Sequence, residues 1–263
     1  MGSTSTLIHL SDCQCDGLTV PDWSIESGDS WCVFGRNGSG KQLIDRLLVG
    51  EIKPSRGIVE RSLDADQIAL ISFERQQATY EEEWRLAATD IIPEDEWGTR
   101  VADFLPLDRL NDSLIDQLNM RHRLQAFYRE LSTGESRKLM VLKALLDDAE
   151  LLICDNPFDS LDYGTVQALS ETFRLAVASG VAVILLLSNR SDIPEWVEKF
   201  GHVEAGLLTA FAGARETQLA QLQTAIGTGV IVQPGIPEDA IRLEAYDAPY
   251  IAELSECTVR YGD

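Results

Sequence analysis

The chain has 263 residues, 44% hydrophobic and 25% charged, enough to bury the core of one large α/β domain or two small ones. Acidic residues number 43 against 22 basic ones, and the formal charge of −21 disfavours nucleic acid and anionic lipid surfaces as partners. No apolar run approaches the roughly 20 residues that span a bilayer and MGSTSTLIHL has no signal-peptide pattern, so the expectation is a cytoplasmic protein without direct membrane insertion.

In chain order, WCVFG (residues 31–35) is a short apolar run ending in glycine. KQLIDRLLVG then sets Leu43, Ile44, Leu47 and Leu48 on one helical face. The pattern is strand, glycine-rich turn, helix. SRGIVE and QIALISF predict further strands, the second ending near Phe73. From Tyr80 to Arg129 the sequence turns acidic. Leu110, Leu114, Ile115 and Leu118 fall at helical spacing, and Leu124, Phe127, Tyr128 and Leu131 continue it, which predicts an inserted helical subdomain over 76–130. The three glutamates at 81–83 read as a solvated face. A helix over 138–146, a strand LLIC, a helix through Val166, Leu169, Phe173 and Val177 up to Gly180, and a strand VAVILLLS follow. Continuous apolar strands between helices imply a mainly parallel sheet covered on both faces. VEAGLLTAFAG and a helix near Leu219 and Leu222 complete a module over 1–226. Residues 227–249 lose periodicity and read as a linker. Cys13, Cys15, Cys32, Cys154 and Cys257 show neither CxxC nor zinc spacing, and read as reduced, buried small hydrophobes. His9, His122 and His202 carry no recognisable chemistry.

Gly35, Gly40 and Lys41 fit G-x-x-x-x-G-K, in which glycines let backbone N–H groups reach phosphates and the lysine meets the terminal ones. Asn37, Gly38 and Ser39 lie within this loop. The helix N-terminus behind it adds partial positive charge. Gln42 stands where a Ser or Thr hydroxyl normally ligates Mg²⁺.

Leu131-Ser132-Thr133-Gly134-Glu135 is similar to the LSGGQ signature of ABC-type ATPases, and it also satisfies a capping box, Ser132 with Glu135. The order phosphate loop, helical insertion, signature, LLICDNP and Ser160-Leu161-Asp162 resembles that family over residues 7–222. GDSWCVFGRNGSGK, ISFERQQ, LSTGESRK, NPFDSLD and SDIPEW resemble the first module of its tandem branch associated with molybdenum transport. The resemblance implies a P-loop NTPase fold with a RecA-like core, a small antiparallel β subdomain and the helical insertion. It implies ATP and Mg²⁺ as cofactors, with Asp155 and Gln42 at the metal. Residues 250–263, with Tyr261, resemble the start of a second ABC module. Ser132, Gly134, Glu135 and the D-loop Asp162 are then expected to act in trans on that module's nucleotide.

Several positions depart from the family. Asn156 stands where a glutamate polarises the attacking water, Asn189 where the switch histidine lies, and Glu74 where the Q-loop glutamine lies, with Gln76 or Gln77 as alternative sources of that amide. A carboxamide cannot take a proton, and a positioned general base contributes typically 10²- to 10⁴-fold. No aromatic near Asp12 or Cys13 is available to stack on adenine. The resemblance thus implies a site that holds ATP without efficient turnover, beside a competent second module and a membrane permease that makes the protein peripheral to the inner membrane. A nucleotide sensor without turnover and a ribosome-associated tandem ATPase are the alternatives, and acidity opposes the latter.

Overall fold

The computed structural model describes residues 5–87, 98–106 and 112–227; Leu110, Cys257, Tyr261 and the predicted linker and second-module start over 228–263 lie outside them. Nine strands form one sheet in the order β4-β1-β2-β9-β8-β3-β7-β6-β5. They are β1 (Thr6–Cys15), β2 (Leu18–Glu26), β3 (Ser30–Phe34), β4 (Arg56–Arg61), β5 (Ile68–Ile71), β6 (Leu151–Asp155), β7 (Ala182–Leu187), β8 (Lys199–Glu204) and β9 (Leu207–Ala210). The helices are α1 (Lys41–Val49), α2 (Phe73–Ala87), α3 (Asp112–Gln117), α4 (Thr133–Leu146), α5 (Tyr163–Ala178) and α6 (Arg215–Ala225).

The sheet has two characters. β8, β3, β7, β6 and β5 run parallel to one another, and every residue of β3 and β7 is buried. That burial explains why these strands read as unbroken apolar runs rather than alternating ones. Side chains alternate between two cores. Cys32, Leu152, Cys154, Val183 and Leu185 pack with Leu139, Leu142, Leu169 and Phe173 from α4 and α5. Val33, Ile153, Ile184 and Leu186 pack with Ile44, Leu47 and Leu48 from α1. Each fully buried side chain of this size contributes about 1.5–3 kcal/mol. β1, β2 and β4 instead pair antiparallel and form the outer part of the sheet. The expected fold, a mainly parallel core with an antiparallel β portion and an inserted helical region, is the one observed.

Local differences have physical causes. The strand in QIALISF stops at Ile71, and Phe73 already opens α2. The helix expected over 138–146 begins at Thr133, because the Ser132 cap starts it earlier. Residues 124–131 do not continue a helix. Phe127 is extended (φ −75°, ψ 148°), bridges to Arg100, and is followed by a 3₁₀ turn over Tyr128–Glu130 whose Glu130 carboxylate accepts the Phe127 N–H at 3.0 Å. Glu83 is not solvated. It is 5% exposed and accepts from the N–H and hydroxyl of Thr99 at 2.7 and 2.9 Å, fastening α2 to the following chain, while Glu81 and Glu82 are exposed. Cys13, Cys15, Cys32 and Cys154 are free and buried. Burial pushes the Cys32 thiol up to about 12, so it is inert as a nucleophile. No helix among the described residues is long and apolar enough to cross a membrane.

Candidate functional site: a phosphate-loop cleft and a capped helix start

The loop between β3 and α1 lies at the carboxyl end of the parallel strands, where α/β sheets bind ligands. Gly38 (φ 78°) and Gly40 (φ 102°) adopt left-handed backbone, which bends the loop into α1 without side chains in the way. A Cβ on Gly35 would lie 2.5 Å from Ser39 Oγ and 2.9 Å from Lys41 Cγ, so only glycine fits there. Gly40 is the N-cap of α1 and supplies no side-chain bond, and the first turn of α1 holds no acid. Its leading N–H groups are therefore left to a ligand. The β8–β9 turn braces the loop from behind: the Gly206 N–H donates to the Ser39 carbonyl at 3.0 Å, and the Gly206 carbonyl accepts from Thr19 N at 2.6 Å. A Cβ on Gly206 would sit 1.8 Å from the Gly17 carbonyl oxygen, so this turn too requires glycine.

Lys41 is 5% exposed. Its Nζ donates to Ser188 Oγ at 2.5 Å and lies 4.0 Å from Asp155 Oδ1. Burial lowers the lysine's pKa, and Asp155 and Asp159 oppose that shift. Asp155, at the end of β6, has its carboxyl raised by burial; Lys41 pulls it down and Glu74 pushes it up. Asn156 holds left-handed backbone (φ 43°). Its Nδ2 donates to Asp155 Oδ1 at 3.0 Å, and its Oδ1 accepts the Ser188 N–H at 3.0 Å. Both ends of the carboxamide thus tie the end of β6 to the end of β7. Ser188 closes the ring by donating to Asn37 Oδ1 at 3.2 Å.

These groups line a cleft of about 820 Å³ shared by Asn37, Gly38, Gly40, Lys41, Gln42, Glu74, Asp155 and Asn156. Gln76 and Gln77 do not. Gln76 is buried and donates to the Thr133 carbonyl at 2.9 Å, and Gln77 donates to Glu81 at 2.9 Å. Asn189 does not line the cleft either; its Oδ1 accepts from Ser191 N at 3.3 Å and caps the 3₁₀ turn Arg190–Asp192. The buried Ser39 hydroxyl has no partner among the described residues. An open helix start, a buried lysine and this orphaned donor fit a polyphosphate. Asp155 suits a hard divalent cation, whereas exposed Gln42 offers only an amide oxygen.

The signature segment lies elsewhere. Ser132 caps α4, its Oγ accepting Glu135 N at 3.3 Å while Glu135 Oε2 accepts Ser132 N at 2.9 Å. The first turn of α4 packs on the segment that enters α5: a Cβ on Gly134 would meet Thr165 at 3.3 Å and Leu161 at 3.5 Å. Asp162 caps α5, accepting from Thr165 N and Thr165 Oγ1 at 3.0 and 2.7 Å.

Three further residues shape these sites and were given no role by the sequence. Arg137, 4% exposed, donates to the carbonyls of Asn156, Pro157 and Asp159 at 3.4, 3.1 and 3.2 Å, fixing the turn after β6. Ser188 anchors Lys41. Asp45, 6% exposed, lines the cleft, and burial together with Asp155, Glu74 and Glu51 pushes its carboxyl up to about 7. The helical pattern did not mark it: it follows Ile44 directly and falls beside, not on, the face set by Leu43, Ile44, Leu47 and Leu48. The histidines have partners that the sequence did not disclose. His9 meets Ser24 at 2.9 Å, His202 stacks on Phe34 at 6.4 Å, and His122 lies 3.9 Å from Glu135.

Residues 18–159 match the family model described as ABC transporter. The chain is similar to the ABC transporter ATP-binding protein ModF of Escherichia coli (strain K12), 35% identical over 81% of this chain and 44% of that protein. It is also similar to the molybdenum import ATP-binding protein ModC of Brucella abortus (strain 2308), 26% identical over 86% of this chain and 63% of that protein. The chain spans less than two thirds of the length of either relative. In fold it is similar to the solved ATP-binding subunit of an ABC transporter, with a TM-score of 0.61 at 21% identity over 82% of this chain and 99% of that one.

Proposed function

The chain belongs to the ABC transporter family of ATP-binding proteins, and from that membership we propose that it holds ATP with Mg²⁺ at a site with impaired hydrolysis while lending its signature to a second ABC module. The observation that carries the reading is the bonding of Asn156. Where the family places a glutamate beside the attacking water, this chain has a carboxamide with both ends committed, to Asp155 and to Ser188 N. It has no basic oxygen to take a proton. Asn189 caps its own turn, and Glu74 adds negative charge to the cleft.

In this reading the glycines at 35, 38 and 40 and the first N–H groups of α1 bind the phosphates, Lys41 neutralises the terminal ones, and Asp155 with Gln42 holds the metal. Bound Mg²⁺ supplies charge neutralisation along the phosphates. Ser188 keeps Lys41 extended across the cleft, and Arg137 keeps the turn after β6 from collapsing onto it. Ser132 and Gly134 at the start of α4, with Glu135 and Asp162, serve the second module, whose start is read at 250–263. Domain limits of 1–226 and a linker over 227–249 complete the scheme. The name of one relative, a molybdenum import ATP-binding protein, supports molybdenum as the cargo of the assembled system; membership of the ABC transporter family supports a permease as its membrane partner, with a cytoplasmic location beneath it.

The 263-residue chain is expected to bind a fluorescent ATP analogue with Mg²⁺ and to release almost no phosphate. Robust turnover by this chain alone contradicts the impaired site. In a chain carrying both modules, Ser132→Arg is expected to abolish turnover; unchanged turnover removes the trans role.

A further inference from the structure

The signature ends in an acid. Glu135 occupies the third position of α4, and an uncompensated carboxylate there would repel the triphosphate that this helix start is proposed to meet. Its charge is not left uncompensated. Arg123 Nε donates to Glu135 Oε1 at 2.6 Å, and His122 Nε2 lies 3.9 Å from the same oxygen. The other oxygen, Oε2, accepts Ser132 N at 2.9 Å, so the carboxylate is folded back along the cap. Burial works against the charged form, but the Ser132 N–H and Arg123 outweigh it and hold the carboxyl below its usual range. Arg123 comes from a separate element, the 3₁₀ turn Arg121–Arg123, which Arg121 pins by a two-pronged contact to Asp116 at 2.6 and 2.9 Å.

At 36% side-chain exposure, an ion pair of this kind adds little to stability. Its location gives it another use. We propose that Arg123 is a positioning residue for the trans contact: it retracts and neutralises Glu135, so that α4 presents Ser132 and backbone N–H groups, rather than an anion, to the second module's nucleotide. This rests on the trans role of the signature proposed above.

The test is a double-mutant cycle in the chain carrying both modules, read by ATP turnover and by ATP-driven closure of the modules, followed as energy transfer between dyes on each. Arg123→Ala is expected to lower turnover and the fraction closed by about tenfold, as expected for a lost charge-assisted bond, with the thermal midpoint within a few degrees. Arg123→Lys is expected to recover part of the loss. In a Glu135→Gln background, Arg123→Ala is expected to cost nothing further, because the charge it masks is gone. A purely structural Arg123 would be missed equally in both backgrounds, and that result overturns the proposal. So does Arg123→Ala without effect while Ser132→Arg abolishes turnover. If Ser132→Arg is itself silent, the trans reading fails first and takes this inference with it.

Discussion

The two helices whose starts are proposed to meet phosphates, α1 and α4, begin differently. α1 starts at Gly40 with no side-chain cap and no acid in its first turn. α4 starts at Ser132 with a complete capping box and Glu135 in its first turn. The first leaves its N–H groups open and surrounds them with Lys41 and an orphaned Ser39 hydroxyl. The second ties up the N–H groups of Ser132 and Glu135 in its own cap, leaves those of Thr133 and Gly134 outside it, and balances its acid with Arg123. A bare start is costly in the free chain and is suited to a resident ligand; a capped one is stable alone and is suited to a surface that is met only intermittently.

The sharpest way to break this contrast is at the bare start. Lys41→Ala is expected to weaken ATP-analogue binding about 100-fold, the loss of a buried charge-assisted contact, measured by fluorescence titration; an unchanged affinity would place the nucleotide elsewhere. Asp45, four residues further along α1 in the cleft wall, gives an effect of similar size. Its carboxyl has an ordinary value of 3.8 and is raised to about 7 in the folded chain, so between those values the folded state holds the proton that the unfolded state has lost. Its contribution is therefore most favourable below about pH 4, declines as pH rises toward 7 and is constant above that. Asp45→Asn should stabilise the chain at pH 8 by on the order of 3 kcal/mol, with the gain vanishing near pH 4. Urea unfolding across that range reads it directly, and a gain independent of pH would contradict the buried-proton account.

Smaller effects sharpen the comparison. Asn156→Glu is expected to destabilise by about 1–2 kcal/mol, since a longer side chain at φ 43° must sit beside Asp155, and to leave phosphate release at its low level because Asn189 and Gln42 stay altered. Restored turnover from this single change would show that the other departures are silent. At the capped start, Ser132→Ala should cost about 1 kcal/mol of stability and leave ATP-analogue affinity at Lys41 unmoved, by thermal melts and titration on the same sample. Coupling between the two would mean that the helix starts are not independent.

Much of this was legible in the residues because the parallel core writes itself plainly. LLIC and VAVILLL are buried on both faces, and G-x-x-x-x-G-K fixes a turn whose glycines are needed. β1 and β2 were not legible as strands: their polar and apolar residues alternate with Asp12, Asp16 and Gly17 in left-handed backbone, which breaks the period. The stretch from 124 to 131 has helical spacing but extended backbone at Phe127, because tertiary pairing with Arg100 overrides a weak local preference. The contacts of Ser188, Arg137 and Gln76 were illegible for another reason. Their partners are 147, 19 to 22 and 57 positions away, and no local pattern encodes such meetings.

Arg137 sits on α4 yet grips three carbonyls of the turn that follows β6. One nitrogen, Nη1, makes all three contacts, so the helix and that turn are tied together at a single guanidinium corner. A displacement of α4 would therefore pull, through one side chain, on the backbone of Asn156, which lines the same cleft as Lys41.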